Sequence, residues 1–80
     1  MNTLGQVKEI LRNQLQLDQR EAAGIIMESK LAEFGADSLD AVEIAFTVEE
    51  EFGIEVSDEA CEGFKTVGDI VNYVEKERAK

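Results

Sequence analysis

The 80-residue chain contains no histidine, no proline and no tryptophan, and it has one cysteine, Cys61. Without histidine, the chain has no residue of the type that most often takes the proton from a serine nucleophile. One cysteine cannot form an internal disulfide, and no Cys/His cluster has the spacing of a transition-metal site. A free thiol is typical of a reducing compartment, so we expect a cytoplasmic protein.

Basic residues are scarce, because 8 lysines and arginines face 18 aspartates and glutamates, which gives a net charge of -10. No base occurs between Lys30 and Lys65. Nucleic acids and anionic membranes bind clustered Lys and Arg, so neither is expected as a partner, whereas proteins with basic patches are. The first ten residues do not resemble a signal peptide, and no apolar run is long enough to span a membrane.

The spacing of the apolar residues predicts helices. At 44% hydrophobic, the chain is apolar enough to fold, and its length predicts one small domain over residues 1–80. No strand-like alternation is sustained, whereas several segments have apolar residues at intervals of three and four. The first predicted helix begins at Thr3, which we expect to form a capping box with Gln6, and its pattern fades near Leu17.

Three further helices complete the predicted fold. The second runs from about Ser38 to Phe52, with Asp37 or Ser38 as its cap and Gly53 at its end. The segment SDEACEGF holds a short third helix, and TVGD opens the last one. Residues 18–37 are interpreted as mostly a structured loop, in which an extra helical turn stays open. The sequence therefore predicts an all-α protein, a small four-helix bundle with a short third helix and a long first loop.

Ser38 lies in the segment GADSLD, where the second predicted helix begins. A serine hydrolase is excluded, because there is no histidine base and the surrounding residues do not match the G-x-S-x-G elbow. The acids around Ser38 do not form a calcium-binding loop, so no metal site is predicted. Taken alone, a serine before a helix is most often only a cap.

A resemblance over longer stretches of the sequence implies a function for Ser38. Residues 31–56, LAEFGADSLDAVEIAFTVEEEFGIEV, closely resemble the acyl carrier protein family around its G-x-D-S-L attachment motif, and residues 66–75, TVGDIVNYVE, resemble its last helix. The resemblance implies that a carrier-protein synthase, a phosphopantetheinyl transferase, moves 4′-phosphopantetheine from coenzyme A onto Ser38. The thiol of this arm would carry acyl groups as thioesters, for fatty-acid synthesis or a related specialised pathway. Ser38 would then need no internal base, and the chain would be a monomeric carrier, not an enzyme.

The resemblance also implies a docking surface along the second helix. Asp37 matches the acid before the serine, which would orient the synthase. The apolar contact positions are Leu39, Val42 and Phe46, and the acids that would meet basic patches on acyl-synthesising or acyl-transferring enzymes are Asp40, Glu43, Glu49 and Glu50. Without the resemblance, charge alone favours interpreting these acids as an ordinary solvated helix face, and Phe46 is equally consistent with core packing.

Two questions stay open from the sequence. Phe46, Ser57, Cys61 and Gly63 depart from the residues most common in the family, so both a housekeeping and a specialised pathway remain possible. The alternative function is an acidic adaptor or cation-binding bundle in which Ser38 is only a helix cap. We also expect the bundle to open enough to shelter an acyl chain, because it has many small or flexible apolar residues: Ala45, Val48, Ile54, Ile70 and Val71.

Overall fold

The computed structural model describes residues 2–79, and the elements in this range are helices. In order they are α1 (Thr3–Leu15), α2 (Gln19–Ala23), a 3-10 helix (Leu31–Phe34), α3 (Ser38–Phe52), α4 (Asp58–Glu62) and α5 (Val67–Arg78). The long helices α3 and α5 both pack on α1, and the short α4 packs on α3. The predicted all-α bundle with a short helix before the last one is therefore confirmed. No helix in the described range is both long and apolar enough to cross a membrane.

The ends of α1 are set by residues that its apolar pattern does not reveal. Asn2 caps the helix, since its Oδ1 accepts a hydrogen bond from the Gly5 amide at 2.7 Å. The prediction of a capping box at Thr3 was wrong, because Thr3 is already the first helical residue. At the other end Gln16 adopts the left-handed conformation, with φ 53° and ψ 46°, although it is not glycine.

The stretch between α1 and α3, interpreted as mostly loop, contains the short helix α2 and the 3-10 helix. Asp18 and Glu21 form a reciprocal capping box at the start of α2: the Glu21 amide donates to Asp18 at 2.7 Å, and the Asp18 amide donates to Glu21 at 3.1 Å. None of the α2 side chains is buried. The helix therefore leaves no apolar periodicity in the sequence, and its only local signal is the D-x-x-E spacing of its box.

We call the stretch between α1 and α3, residues 16–37, the linker. Its residues 27–31 are joined to the start of α5 by three backbone hydrogen bonds. The Leu31 amide donates to the Lys65 carbonyl at 3.0 Å, the Val67 amide to Ser29 at 2.9 Å, and the Gly68 amide to Met27 at 2.7 Å. We call these three bonds the linker staple. Gly68 suits this close approach, because a Cβ at this position would lie 3.0 Å from the Met27 carbonyl oxygen, a tight contact that the backbone would have to relieve.

The core is aliphatic and lies between the three long helices. Its fully buried side chains are Val7, Leu11, Ile25, Ile44, Val48, Val67, Ile70 and Val74. Most of them come from α1, α3 and α5, whereas Ile25 comes from the linker. Buried Leu31 also belongs to this core, so the linker is fixed by packing as well as by the staple. The linker therefore holds the 3-10 helix against the bundle, immediately before α3.

Candidate functional site

Asp37, not Ser38, caps α3. The Asp40 amide donates to Asp37 Oδ1 at 3.0 Å, and the Asp37 amide donates to Asp40 Oδ2 at 3.1 Å. This capping box places Ser38 at the first helical position. The choice between Asp37 and Ser38, which the sequence left open, is thereby decided, and Ser38 is released from a structural role in the cap.

Ser38 is exposed, and its hydroxyl makes no hydrogen bond to any residue within 2–79. The backbone amides of Ser38 and Leu39 are also without an acceptor in this range, whereas the next two amides of the helix bond to Asp37. Unpaired amides at a helix N-terminus favour an anionic group such as a phosphodiester, and the helix dipole adds to this preference. The position can therefore hold a phosphate ester on Ser38, which fits 4′-phosphopantetheine.

Three exposed apolar side chains extend from this point along α3. Leu39 is 67% exposed, Val42 42% and Phe46 60%. Their spacing of three and four residues places them on one side of the helix, opposite the buried Ile44 and Val48. Phe46 thus lies on the surface and not in the core. A line of apolar groups of this size is unusual on an otherwise acidic helix, and such patches mark interaction sites.

The acids predicted for docking differ in their internal contacts. Asp40 belongs to the capping box. Glu43 accepts a hydrogen bond from the Gln14 side chain on α1, and half-buried Glu49 accepts one from the Val56 amide at 2.8 Å. Glu50 is exposed, and its side chain has no hydrogen bond or ion pair with the described residues. Of the predicted docking acids on α3, Glu50 is therefore the one whose carboxylate is wholly available to a partner.

A cleft of about 1000 Å3 opens beside Ser38. This volume lies at the upper end of the range of small-molecule sites. The exposed residues of its lining form the rim: Lys30, Ala32, Asp37, Ser38, Val42, Glu62 and Lys65. Half-buried residues form the walls, namely Ala36, Ala41, Cys61 and Thr66, and the buried Leu31 and Phe64 form the floor.

Sequence reasoning missed this cleft, although Ser38, Asp37 and Val42 lie on its rim. The small side chains of Ala36 and Ala41 on either side of Ser38 were a local hint of open space. The opposite wall comes from two distant segments, which meet through the staple bond from Leu31 to Lys65 and a bridge between Lys30 and Thr66. No local pattern reports such a long-range pairing.

Cys61 is the one thiol in the cleft lining, and it is not activated. Its Sγ lies 3.6 Å from the Ala41 carbonyl oxygen, to which the thiol donates. Burial raises the pKa of Cys61, and the negative charges of Asp58 and Glu62 raise it further. A thiol of this kind is protonated at neutral pH and is a poor nucleophile. Among residues 2–79 there is also no group of three acids or thiols that could hold a metal ion.

Known proteins share both the sequence and the fold of this chain. The family model of the phosphopantetheine attachment site matches residues 5–74. An acyl carrier protein of Clostridium perfringens is 45% identical over 75 residues, covering 92% of this chain and 95% of that protein. An acyl carrier protein of Clostridium acetobutylicum is 49% identical over 69 residues, covering 85% of this chain and 86% of that protein. The fold is similar to that of an acyl carrier protein from Thermotoga maritima, whose crystal structure matches with a TM-score of 0.80 at 24% identity. The match covers 94% of this chain and 85% of that one.

Proposed function

Because the chain belongs to the acyl carrier protein family, we propose that Ser38 receives its 4′-phosphopantetheine group and that this arm carries acyl groups as thioesters. The observation that supports Ser38 as the attachment site is that its side chain is exposed and has no structural role in the helix cap. It lies at the exposed start of α3, Asp37 performs the capping, and its hydroxyl has no partner within residues 2–79. In the alternative function, an acidic adaptor or cation-binding bundle, Ser38 would be only a helix cap, and capping by Asp37 supports the carrier role over this alternative.

The chain contributes position and electrostatics, and the transferase contributes the chemistry. Ser38 presents its hydroxyl at the surface, so a carrier-protein synthase can supply the base that takes the proton. The free amides of Ser38 and Leu39 would stabilise the phosphodiester after transfer. We infer a carrier without catalysis of its own, which forms one domain over residues 1–80 and works as a monomer in the cytoplasm.

An intact mass spectrum tests the attachment site. We expect incubation with coenzyme A and a broad-specificity phosphopantetheinyl transferase to add one phosphopantetheine to the wild-type chain and none to Ser38→Ala. Ser29 and Ser57 are the matched alternatives, and Ser29→Ala and Ser57→Ala should be modified as fully as the wild type. Modification of Ser38→Ala would refute the assignment, provided that circular dichroism shows it folded.

The same proposal places partner docking on α3. The apolar line of Leu39, Val42 and Phe46 begins next to Ser38, so a partner that binds it reaches the arm. Glu50 can approach a basic patch freely, whereas Asp37, Asp40, Glu43 and Glu49 would add negative potential from positions fixed by their own hydrogen bonds. Charges of this kind mainly raise the association rate, and the desolvated apolar groups mainly slow dissociation.

The partners proposed are the carrier-protein synthase and enzymes that synthesise or transfer acyl chains. Fatty-acid synthesis and a related specialised pathway are both consistent with the site, since both use the same serine chemistry. Assays of acyl transfer from the loaded chain to purified candidate enzymes would distinguish the two pathways. The measured quantity is the rate at which each enzyme accepts the acyl group.

A further inference from the structure

Two bases line the cleft beside Ser38, Lys30 and Lys65. In the sequence they bound the long stretch without bases, and in the structure they come together. The bridge between Lys30 and Thr66 and the bond from the Leu31 amide to the Lys65 carbonyl set their backbones side by side. Both lysines belong to the wall formed by the linker and the segment before α5, whereas Ser38 belongs to α3. The fold therefore brings the two bases to one side of the cleft that begins at Ser38.

Neither ammonium group forms an ion pair within residues 2–79, although acids outnumber bases 18 to 8 in the chain. The neighbouring acids instead accept hydrogen bonds from the backbone of the same two residues. Glu33 accepts from the Lys30 amide at 2.9 Å, and Asp69 accepts from the Lys65 amide at 3.0 Å. Both lysines are exposed, and the flexible stem of lysine lets the ammonium group move towards an anion. The pair is therefore available to a negatively charged group.

The rim of the cleft also contains two acids, Asp37 and Glu62. Asp37 is engaged in the α3 cap through its Oδ1 atom. Glu62 is exposed, and its side chain has no hydrogen bond or ion pair within the described residues, so it is the rim acid that competes for the lysines. A phosphodiester on Ser38 would be next to Asp37 in the chain. Repulsion between these like charges favours a phosphodiester that turns away from α3 and towards the bases.

We infer that Lys30 and Lys65 form a cationic site that attracts the phosphodiester of the arm on Ser38. The inference rests on the proposed attachment of 4′-phosphopantetheine. Lysine binds phosphate groups as a point charge, so the site needs no fixed geometry. Because the charge belongs to the phosphodiester, the attraction is the same whatever acyl group the arm carries. The arm leaves Ser38 towards the linker, and the apolar line on α3 stays open to a partner.

The attraction is modest, because the site is open to water. Pairs of exposed charges favour contact by up to about five-fold. The effect weakens with salt, since the Debye length falls from ~30 Å at about 0.01 M ionic strength to ~10 Å at about 0.1 M. Salt therefore distinguishes an electrostatic site from simple coverage of the lysines by the arm, which salt does not change.

The first test measures the rate at which N-hydroxysuccinimidyl acetate acetylates each lysine, by peptide mass spectrometry, with and without the arm on Ser38. Loading is verified beforehand by intact mass, so a failure of the proposed attachment is seen before any rate is compared. Acetylation needs the neutral amine, which a nearby anion disfavours. We expect loading to slow the acetylation of Lys30 and Lys65 by up to about five-fold at low salt and by less at high salt. The rates at Lys8 and Lys76, which do not line the cleft, should stay unchanged.

Three results of this test would overturn the inference. The first is an acetylation rate at Lys30 and Lys65 that does not change on loading, and the second is a protection that salt does not weaken. The third is equal protection of the unloaded protein by equimolar inorganic phosphate. In that case the lysines bind any free anion, and the arm has no special relation to them.

The second test uses phosphorus NMR of the loaded protein and two double variants that lose the same charge. Lys30→Gln with Lys65→Gln alters the cleft, and Lys8→Gln with Lys76→Gln is the matched control on α1 and α5. Circular dichroism verifies that both are folded. At low salt, only the cleft variant should shift the phosphorus resonance, and added salt should move the wild-type resonance towards it. Equal shifts in both double variants would show that net charge governs the phosphate environment, which would overturn the inference.

Discussion

Replacing Asp37 by alanine should destabilise the protein more than replacing its neighbour Ser38. The substitution removes the acceptor of the Asp40 amide, a bond of 3.0 Å, but leaves the reciprocal bond that the Asp37 amide donates to Asp40. Loss of an N-cap lowers the free energy of unfolding by about 0.5–2 kcal/mol. Asp37 is exposed, so water can replace the lost acceptor, and we expect a value near the middle, about 1 kcal/mol. In a domain of this size that lowers the Tm by roughly 4–8 °C.

Ser38→Ala should change the free energy of unfolding by less than about 0.5 kcal/mol, because the Ser38 hydroxyl has no partner among residues 2–79. Urea denaturation followed by circular dichroism measures both variants. Asp37→Asn is the control, since asparagine keeps the cap and removes only the charge. A loss from Ser38→Ala equal to or greater than that from Asp37→Ala would show that the serine is the cap after all.

Three further predictions concern docking, a helix end and pH. Glu50→Lys should slow the transfer of phosphopantetheine onto Ser38, most strongly at low salt, and the same charge change at exposed Glu28 should have less effect. If stopped-flow measurements show equal losses in the rate of association with the synthase, net charge and not the α3 surface governs recognition. Gln16→Gly should raise the free energy of unfolding by up to about 1 kcal/mol, because glycine adopts a φ of 53° without strain. An unchanged midpoint of urea denaturation would show that the left-handed conformation of Gln16 is not strained. Hydrogen bonds from the Thr66 amide and the Lys65 amide lower the pKa of Asp69. Its contribution to stability is therefore present above the unfolded pKa and is lost as pH falls through the folded pKa. Asp69→Asn should flatten the loss of stability below about pH 4, and acid melts of identical shape would contradict this.

Much of the fold could be predicted because the signals for it are local. The end of α3 follows from Gly53, which adopts φ 64° as a left-handed helix terminator should. The start of α3 was predicted only to within one residue, since Asp37 and Ser38 are both good caps and the choice depends on which oxygen reaches the Asp40 amide. The sequence left open whether residues 18–37 contain a helical turn, because α2 buries none of its side chains and so has no apolar pattern.

The residues of the candidate site could be predicted from the sequence, but their contacts and the cleft beside them could not. The motif around Ser38 and the apolar spacing of Leu39 and Phe46 can be seen in the sequence. That Glu43 bonds to Gln14 and Glu49 to the Val56 amide depends on how separate segments pack. The cleft is a product of the same tertiary packing, which brings residues 30–32 and 64–66 together. Single-sequence patterns contain no information on such pairings.

The linker staple provides a spectroscopic reporter at the floor of the cleft. The Leu31 amide is part of the staple, and the Leu31 side chain is part of the floor. An amide hydrogen in a hydrogen bond exchanges with solvent only when its segment opens, and the exchange rate measures the free energy of that opening. The exchange rates of Leu31, Val67 and Gly68 therefore record whether the linker loosens or tightens when the arm is loaded, without a label near Ser38. Slower exchange at Leu31 than in the unloaded protein would mean that the cargo stabilises the closed linker, whereas faster exchange would mean that the linker must open to admit it.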